Sequence, residues 1–399
     1  MTLLANRVEQ IKPSFTLDMV TRAAELKNQG IDVINFSAGQ PDFNTPDNII
    51  KVAKQAMDRG DTKYTAGAGT LELREAVCTK VKRENNLIIS PDRVLISNGE
   101  KQSLSLACQA LFQKGDEVII FKPYWVSFPE FVTLADATPV FVNTNRNKNF
   151  EPDENEIKTK LSGNIKGIIV NSPSNPTGVI WSEKILVKIL KLAKRNKLVI
   201  ISDECYERLV FDKNFISIEK LNQDHNIGAN VLTCMSLSKT YSMTGWRIGY
   251  SFGDKAIIDG MTKIQSQATS CANSISQAAG VEALLGDQSM VSIMIKKFKD
   301  RRDLIVFLLN EINGVNCELP GGAFYAFPNF NNYLGKSFKG KKIENSFDLS
   351  NLFLDIAKVV TVPGDGFGAP GHIRFSYPVS KKLISDGIDR VKIILEQLN

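Results

Sequence analysis

A lysine surrounded by hydroxyl side chains is the feature of this sequence that most clearly indicates chemistry. Lys239 lies within a run of small hydroxyl residues, and Arg247 follows it eight positions later. Hydroxyl and guanidinium groups bind phosphate well, and a lysine held among them can form a Schiff base with a carbonyl compound. The pattern therefore predicts a lysine that carries a phosphorylated aldehyde, with a polar loop and a solvated lysine as the simpler alternative. The hydroxyl residues are Ser236, Ser238, Thr240 and Ser242.

Strands that end in polar or glycine-containing turns would bring further groups to the same place. Apolar runs predict strands over 94–97, 117–121, 167–170, 198–201 and 231–235, with helical spacing in several of the intervals. Such alternation gives a parallel sheet, and ligands bind at the carboxyl ends of its strands. We therefore expect one site that contains the residues following those ends, which are Gly99, Trp125, Asn175 and Asp203.

The turn after the first of these strands is a predicted anion site. Gly99 and Glu100 precede a helix predicted over 101–112, and the start of a helix presents free N–H groups and a positive dipole end. Lys101 in the first turn opposes that dipole. This placement indicates a negatively charged partner, although an exposed lysine tolerated at a helix start would give the same pattern.

Together these groups meet the needs of pyridoxal phosphate. Lys239 would hold the aldehyde, and Asp203 would pair with the pyridine nitrogen and keep it protonated. Tyr206 and Asn175 would hydrogen-bond to the phenolate oxygen of the ring, and Trp125 would stack on its face. The predicted phosphate ligands are Gly99, Glu100, Lys101, Ser236, Ser238 and Arg247.

Several motifs resemble those of one enzyme family. Three are similar to the class I/II aminotransferases of fold type I: SPSNPTG (172–178), SDECYE (202–207) and SLSKTYSMTGWRIGY (236–250). Three more look like the bacterial aspartate aminotransferase branch: SAGQPDF (37–43), PYWVSFPE (123–130) and PGGAFY (320–325). The resemblance implies an α/β protein of the pyridoxal-phosphate-dependent transferase fold, with a mainly parallel sheet between helices in the large domain and a smaller α+β domain.

The domain boundaries are predicted from this resemblance and from the change of pattern along the chain. Residues 1–46 would form an N-terminal arm and part of the small domain, 47–288 the large cofactor-binding domain, and 289–399 the C-terminal small domain. Within the terminal parts, the sequence predicts strands over 31–36 and 359–362 and a helix over 349–358.

The resemblance also implies roles that the residues alone do not. It implies a homodimer with shared active sites, in which Tyr64 reaches the phosphate of the neighbouring subunit, whereas the local sequence favours a packing role. Arg374 would bind the substrate α-carboxylate, a role that suits a rigid guanidinium fork, and Gly39 would lie beside it. Trp125 and Asn175 would contact the substrate as well.

Substrate choice depends on two lysines. In this branch a lysine at the position of Lys101 meets the distal carboxylate of a dicarboxylic amino acid. Lys12 resembles a lysine associated with relatives that also transaminate prephenate. We expect an enzyme that transfers the amino group of L-aspartate to 2-oxoglutarate by a ping-pong mechanism, with Lys239, Asp203 and Tyr206 as catalytic residues. The alternatives are transamination of prephenate or aromatic acids, C–S lyase chemistry, and a non-catalytic cofactor-binding regulator.

Composition narrows the remaining classes of function. The chain has 399 residues, a hydrophobic content of 43% and a net charge of +6, and its lysine clusters are interleaved with acids, so we expect neither a nucleic-acid nor a membrane partner. Two histidines do not favour a metal site, and six widely spaced cysteines are typical of a reducing, cytoplasmic protein. Cys205 replaces a usually aliphatic residue, and only packing consequences are expected from it.

Overall fold

The computed structural model describes residues 3–12, 15–145, 149–212 and 214–399. Within these ranges, no helix combines the length and the apolar character that a bilayer-crossing segment requires. The strands are β1 (Ile34–Asn35), β2 (Val94–Ser97), β3 (Glu117–Lys122), β4 (Thr138–Asn145), β5 (Glu151–Pro152), β6 (Ile165–Asn171), β7 (Val199–Asp203), β8 (Asn230–Ser236), β9 (Gly249–Phe252), β10 (Tyr325–Ala326), β11 (Ser337–Phe338), β12 (Lys341–Lys342), β13 (Val359–Val360), β14 (Val362–Pro363) and β15 (Ile373–Ser376).

Several of the described helices begin at a residue whose side chain caps the first turn. For example, the Thr70 hydroxyl accepts a hydrogen bond from the backbone N–H of Leu73 at the start of α4, and Asn273 caps α11 in the same way. The helices are α1 (Asn6–Glu9), α2 (Phe15–Asn28), α3 (Asp47–Asp58), α4 (Leu71–Asn85), α5 (Glu100–Leu111), α6 (Ser127–Leu134), α7 (Glu154–Lys160), α8 (Glu183–Arg195), α9 (Ile218–Asp224), α10 (Lys255–Ala268), α11 (Ser274–Leu285), α12 (Ser289–Asn310), α13 (Ser346–Leu352) and α14 (Lys381–Leu395).

The central sheet is mixed and mainly parallel. In the described part of the chain it contains eight strands in the order β2-β9-β8-β7-β6-β3-β4-β5. The β4-β3-β6-β7-β8 pairs are parallel, whereas β9 runs antiparallel to both of its neighbours. The carboxyl ends of β2, β6, β7 and β8 therefore lie along one edge, as the sequence predicts.

The N-terminal residues cross to the C-terminal part of the chain. β1 pairs with β13 in parallel, and β14 and β15 form a second small sheet with β10. This arrangement corrects two predicted strands. The strand predicted over 31–36 is only two residues long, in β1. The strand predicted over 359–362 divides into β13 and β14, because its two halves pair with different partners. The helix predicted over 349–358 is α13 followed by a π-helical turn at Phe353–Ala357. We propose the domain division 1–46, 47–288 and 289–399, which the β1–β13 pairing supports.

A buried ion pair connects α4 to the loop that follows β7. Lys80 is 1% exposed, and its ammonium pairs with Glu207 and lies 3.4 Å from Glu84. Removing the lysine would leave Glu207 as a buried, uncompensated charge. We expect Lys80→Ala to lower the free energy of unfolding by about 3–5 kcal/mol, measured by urea denaturation.

Lys82→Ala is the matched control, since Lys82 lies on the same helix with its side chain exposed. It should change the free energy of unfolding by less than about 0.5 kcal/mol. Equal losses for the two variants would mean that the buried pair does not stabilise the loop.

Candidate active site

The register of the central sheet brings the strand ends together around one cavity. Asn171 of β6 lies beside Asp203 of β7, and Gly249 of β9 lies between Ser97 of β2 and Ser236 of β8. The cavity beyond this edge has a volume of about 370 Å³, within the range that small-molecule ligands occupy.

Most of the predicted site residues line this cavity. Gly99 lies directly behind it, because a Cβ on this glycine would come within 2.3 Å of Arg247 Nη2. Its φ of 81° also favours glycine. The predicted residues in the lining are Gly39, Glu100, Lys101, Trp125, Asn175, Asp203, Tyr206, Ser236, Ser238, Lys239, Arg247 and Arg374.

Lys239 lies in the loop that follows β8 and extends across the cavity. Its Nζ donates a hydrogen bond to the backbone carbonyl of Gly39 at 2.5 Å. Burial lowers the pKa of Lys239, and the charges of Arg247 and Arg374 lower it further, whereas Cys205 and Glu100 oppose the shift. A lysine with a lowered pKa gives up its proton more readily than an exposed lysine, which suits nucleophilic attack on a carbonyl group.

Asp203 is the last residue of β7 and is 4% exposed. It accepts a hydrogen bond from the backbone N–H of Cys205 at 3.2 Å. Burial raises the pKa of Asp203 to about 6, although the neighbouring Glu100 side chain, the Cys205 N–H and the charge of Lys239 each lower it. A buried carboxylate with no arginine or lysine salt bridge in the described residues is able to pair with a cationic ligand.

Two tyrosines meet at the floor of the cavity. The hydroxyl groups of Tyr206 and Tyr325 are 2.6 Å apart, and the rings pack edge to face. Burial raises the pKa of Tyr206 well above its ordinary value, with the neighbouring Tyr325 as the next cause. Tyr206 is therefore a neutral hydrogen-bond donor at the carboxyl edge of the sheet.

Arg374 of β15 reaches the same cavity from the smaller sheet. Its Nη1 donates to Asn175 Oδ1 and its Nη2 donates to the carbonyl of Ser37, both at 2.9 Å. Its Nε is buried and has no hydrogen-bond partner in the described structure, and the guanidinium lies 4.5 Å from the centre of the Tyr325 ring. Neutral partners hold the guanidinium in place and leave its charge available for an anion.

The opposite end of the cavity is built to receive an anion. No side chain caps the first turn of α5, so its leading N–H groups remain available. Ser236, Ser238 and Arg247 line the same cavity as Glu100 and Lys101 of this turn. The Arg247 Nη1 donates to the carbonyl of Thr244 at 2.8 Å, which fixes the guanidinium beside Gly99.

Trp125 and Lys101 form one wall. Trp125 packs edge to face on Phe128, and the Lys101 ammonium lies 5.0 Å from the centre of the indole ring, within the range of a cation–π contact. Partial burial at this wall lowers the pKa of Lys101, and Arg247 lowers it further.

Besides Gly99, two predicted site residues lie outside the cavity lining. Tyr64 is 88% exposed. Lys12 is exposed, and its backbone N–H donates to Glu130. Their predicted roles depend on a second subunit and on a substrate, so they stay predictions.

The comparison with protein families decides what kind of protein this is. The model described as aminotransferase class I and II matches residues 31–391. The chain belongs to this family. The membership predicted from the motifs is thereby confirmed.

Individual relatives of this aminotransferase are similar over nearly its whole length. An aspartate aminotransferase of Bacillus sp. (strain YM-2) is 40% identical over 390 residues, 98% of each chain. A bifunctional aspartate aminotransferase and glutamate/aspartate-prephenate aminotransferase of Petunia hybrida is 42% identical over 398 residues, 98% of this chain and 82% of its own. The structure of the aspartate aminotransferase from Rhizobium meliloti gives a TM-score of 0.95 at 37% identity and covers 100% of both chains. The predicted fold class is confirmed.

The aminotransferase site also contains residues to which the sequence analysis gives no role: Asn171, Thr244 and Tyr325. Tyr325 lies in the PGGAFY motif, but only the folded chain brings that motif to Tyr206. Cys205, for which only packing consequences are predicted, lines the cavity as well. Cys205 lies two residues beyond the end of β7, and its backbone N–H donates to Asp203.

Proposed function

We propose that this aminotransferase binds pyridoxal 5'-phosphate and transfers the amino group of L-aspartate to 2-oxoglutarate, giving oxaloacetate and L-glutamate. The observation that carries the proposal is the convergence of Lys239, Asp203 and Arg374 on one cavity. Three different elements supply these residues, and each matches one requirement of the reaction. The names of the Bacillus and Rhizobium relatives support the choice of aspartate.

The residues that line the cavity fit the cofactor. A phosphate group would receive hydrogen bonds from the uncapped start of α5, together with Ser236, Ser238 and Arg247. Lys239 would hold the aldehyde, and Asp203 would face the ring nitrogen. When bound, pyridoxal phosphate supplies a carbonyl group that exchanges amino groups and a ring that accepts electrons.

The side chains of the chain would perform the remaining tasks. Arg374 would bind the α-carboxylate of the amino acid, since its guanidinium is held by neutral partners. Lys239, with its lowered pKa, would take the proton from the substrate Cα and later return one, as a general base and acid. Tyr206 would donate a hydrogen bond to the phenolate oxygen, and Asn175 and Trp125 would orient the substrate and the ring.

The proposed specificity for a dicarboxylic substrate depends on Lys101. Its ammonium is at the wall formed with Trp125, where it would meet the distal carboxylate. A hydrogen bond between charged groups contributes about 1.5–3 kcal/mol. We expect Lys101→Ala to lower kcat/KM for L-aspartate about 10–100-fold and to leave L-alanine and L-phenylalanine nearly unchanged, measured by steady-state kinetics.

Lys122→Ala is a matched control, because Lys122 also lies over an aromatic ring, that of Phe141, but does not line the cavity. This variant should retain activity toward all donors. An equal loss for every donor in Lys101→Ala would contradict the assignment of the distal carboxylate to this lysine.

A second candidate activity is transamination of prephenate. The name of the Petunia relative supports it, and so does the resemblance of Lys12 to a lysine of such enzymes. Prephenate can be assayed as an acceptor with the wild-type protein and with Lys12→Ala. A loss of activity in Lys12→Ala that is specific to prephenate would support a role of Lys12 in binding prephenate. If the wild-type protein does not turn over prephenate, this second activity is excluded. A non-catalytic regulator would show no turnover with any pair of substrates.

We also propose a homodimer with shared active sites. The exposure of Tyr64 supports this arrangement, because a phenol at the surface of one copy can reach the phosphate of the next. Sedimentation analysis would test it, and a monomer would contradict it. The cytoplasmic location stays a prediction.

A further inference from the structure

A second carboxyl group occupies the pocket of Asp203. Glu100 lies in the first turn of α5, and a carboxylate oxygen of Glu100, one of Asp203 and the Cys205 sulfur lie within 4.8 Å of one another. Glu100 and Asp203 are only 6% and 4% exposed. Oε1 of Glu100 is buried without a hydrogen-bond partner in the described part of the structure. The side chain of Glu100 is therefore directed at Asp203.

Two buried carboxylates this close do not both ionise, because like charges repel strongly where water is excluded. Asp203 has the better support for a negative charge, since it accepts the Cys205 N–H. Burial raises the pKa of Glu100 well above its ordinary value, and the charge of Asp203 raises it further. Glu100 therefore holds a proton more strongly than Asp203 does.

The other groups around Glu100 come from three elements. Lys239, after β8, favours the ionised form of Glu100, but burial outweighs this effect on the pKa of Glu100. Cys205, Cys234 of β8 and Tyr250 of β9 are neutral, because burial raises the pKa of each well above its ordinary value. Lys239 is thus a cation near Glu100 that opposes its protonation.

We propose that Glu100 is a positioning residue that acts through Asp203: as a neutral acid it donates a hydrogen bond to the Asp203 carboxylate and sets the basicity of that group. The inference rests on the proposed function, in which Asp203 faces the ring nitrogen of pyridoxal phosphate. It gives the Glu100 side chain a task separate from the phosphate role predicted from its place at the start of α5.

A metal ion is a poorer occupant of this cluster. The three ligand atoms are close enough to hold one, but a neutral acid and a thiol leave Asp203 as the one anionic ligand among them. The nearby ammonium of Lys239 opposes a cation as well.

The first test measures the protonation of Glu100 directly. Burial also raises the pKa of Glu204 to about 8, so the quantity to measure is the difference spectrum between the purified full-length wild-type protein and Glu100→Gln at pH 7.5. It should contain the carbonyl band of one protonated carboxyl group, present in the wild type and absent from the variant. This measurement does not depend on turnover or on bound cofactor. A spectrum without that difference would overturn the proposal even if the protein is an active aminotransferase.

The second test measures the effect on the bound cofactor through the pH titration of its absorbance. Glu100→Gln retains a neutral donor, so its midpoint should match that of the wild type. Glu100→Ala removes the donor and leaves Asp203 more basic, so its midpoint should rise by about half a pH unit or more.

The other outcomes of this titration are equally distinct. A midpoint that falls in both variants would show that Glu100 is ionised, and unchanged midpoints in both would show that it does not act through Asp203. Either result overturns the proposal. Failure of the cofactor to bind to the wild-type protein would instead contradict the proposed function.

Discussion

Lys239→Ala is expected to lower the rate of transamination by about 10⁴-fold or more. This is the upper end of what a positioned acid–base group contributes to a rate. Lys239 is the one residue of the cavity that is proposed both to hold the cofactor and to move the proton at the substrate Cα. Lys239 lines the cavity, and its amine lies 2.5 Å from the carbonyl oxygen of Gly39. Single-turnover kinetics with L-aspartate and the cofactor-loaded variant would measure the loss.

Addition of a small primary amine provides the control for Lys239→Ala. Partial rescue by methylamine would show that the pocket is intact and that a missing amine causes the defect. A variant that retains more than about a tenth of the wild-type rate would contradict the role of this lysine.

Asp203→Asn is expected to lower kcat by about 10²–10⁴-fold, because removal of one partner from a buried charge pair costs about 3–5 kcal/mol. Asparagine has the same shape and cannot hold the ring nitrogen in its cationic form. Asp203→Glu retains the charge and should recover part of the activity. If the asparagine variant matched the wild type, the proposed contact with the ring nitrogen would be wrong.

The raised pKa of Asp203 predicts that the affinity for the cofactor depends on pH. The pKa of Asp203 is about 6, so its carboxylate is present above that pH and is lost as the pH falls through it. The cofactor phosphate titrates in a similar range, and the informative quantity is therefore the ratio of dissociation constants between Asp203→Asn and the wild type. This ratio should be largest at pH 8 and should approach one below pH 5. A ratio independent of pH would contradict the assignment.

Much of the site could be predicted from the sequence because its residues follow apolar strands directly. Asp203 and Asn175 come after runs that are long and buried enough to be recognised as strands of a parallel sheet. The sheet register then places Asp203 beside Asn171, the last residue of the strand that precedes Asn175. Lys239 was identifiable without any topology, since the residues around it suit a phosphate.

The parts of the site that the sequence does not predict depend on contacts between segments that are distant along the chain. Tyr325 meets Tyr206 across 119 positions of the chain, and no local pattern predicts that contact. The sequence also does not predict that the Glu100 side chain is directed inward, because a glutamate in the first turn of a helix is usually explained by the helix dipole. The sequence predicts too much length for the strands at 31–36 and 359–362, since their pairing partners determine where they end.

Reduction of the cofactor-loaded wild-type protein with borohydride tests the central claim most directly. Peptide mapping by mass spectrometry would then locate the pyridoxyl group. The proposed function predicts that one peptide carries it and that the modified residue in that peptide is Lys239. Label on another lysine, or no label on a protein that is active as an aminotransferase, would contradict the account.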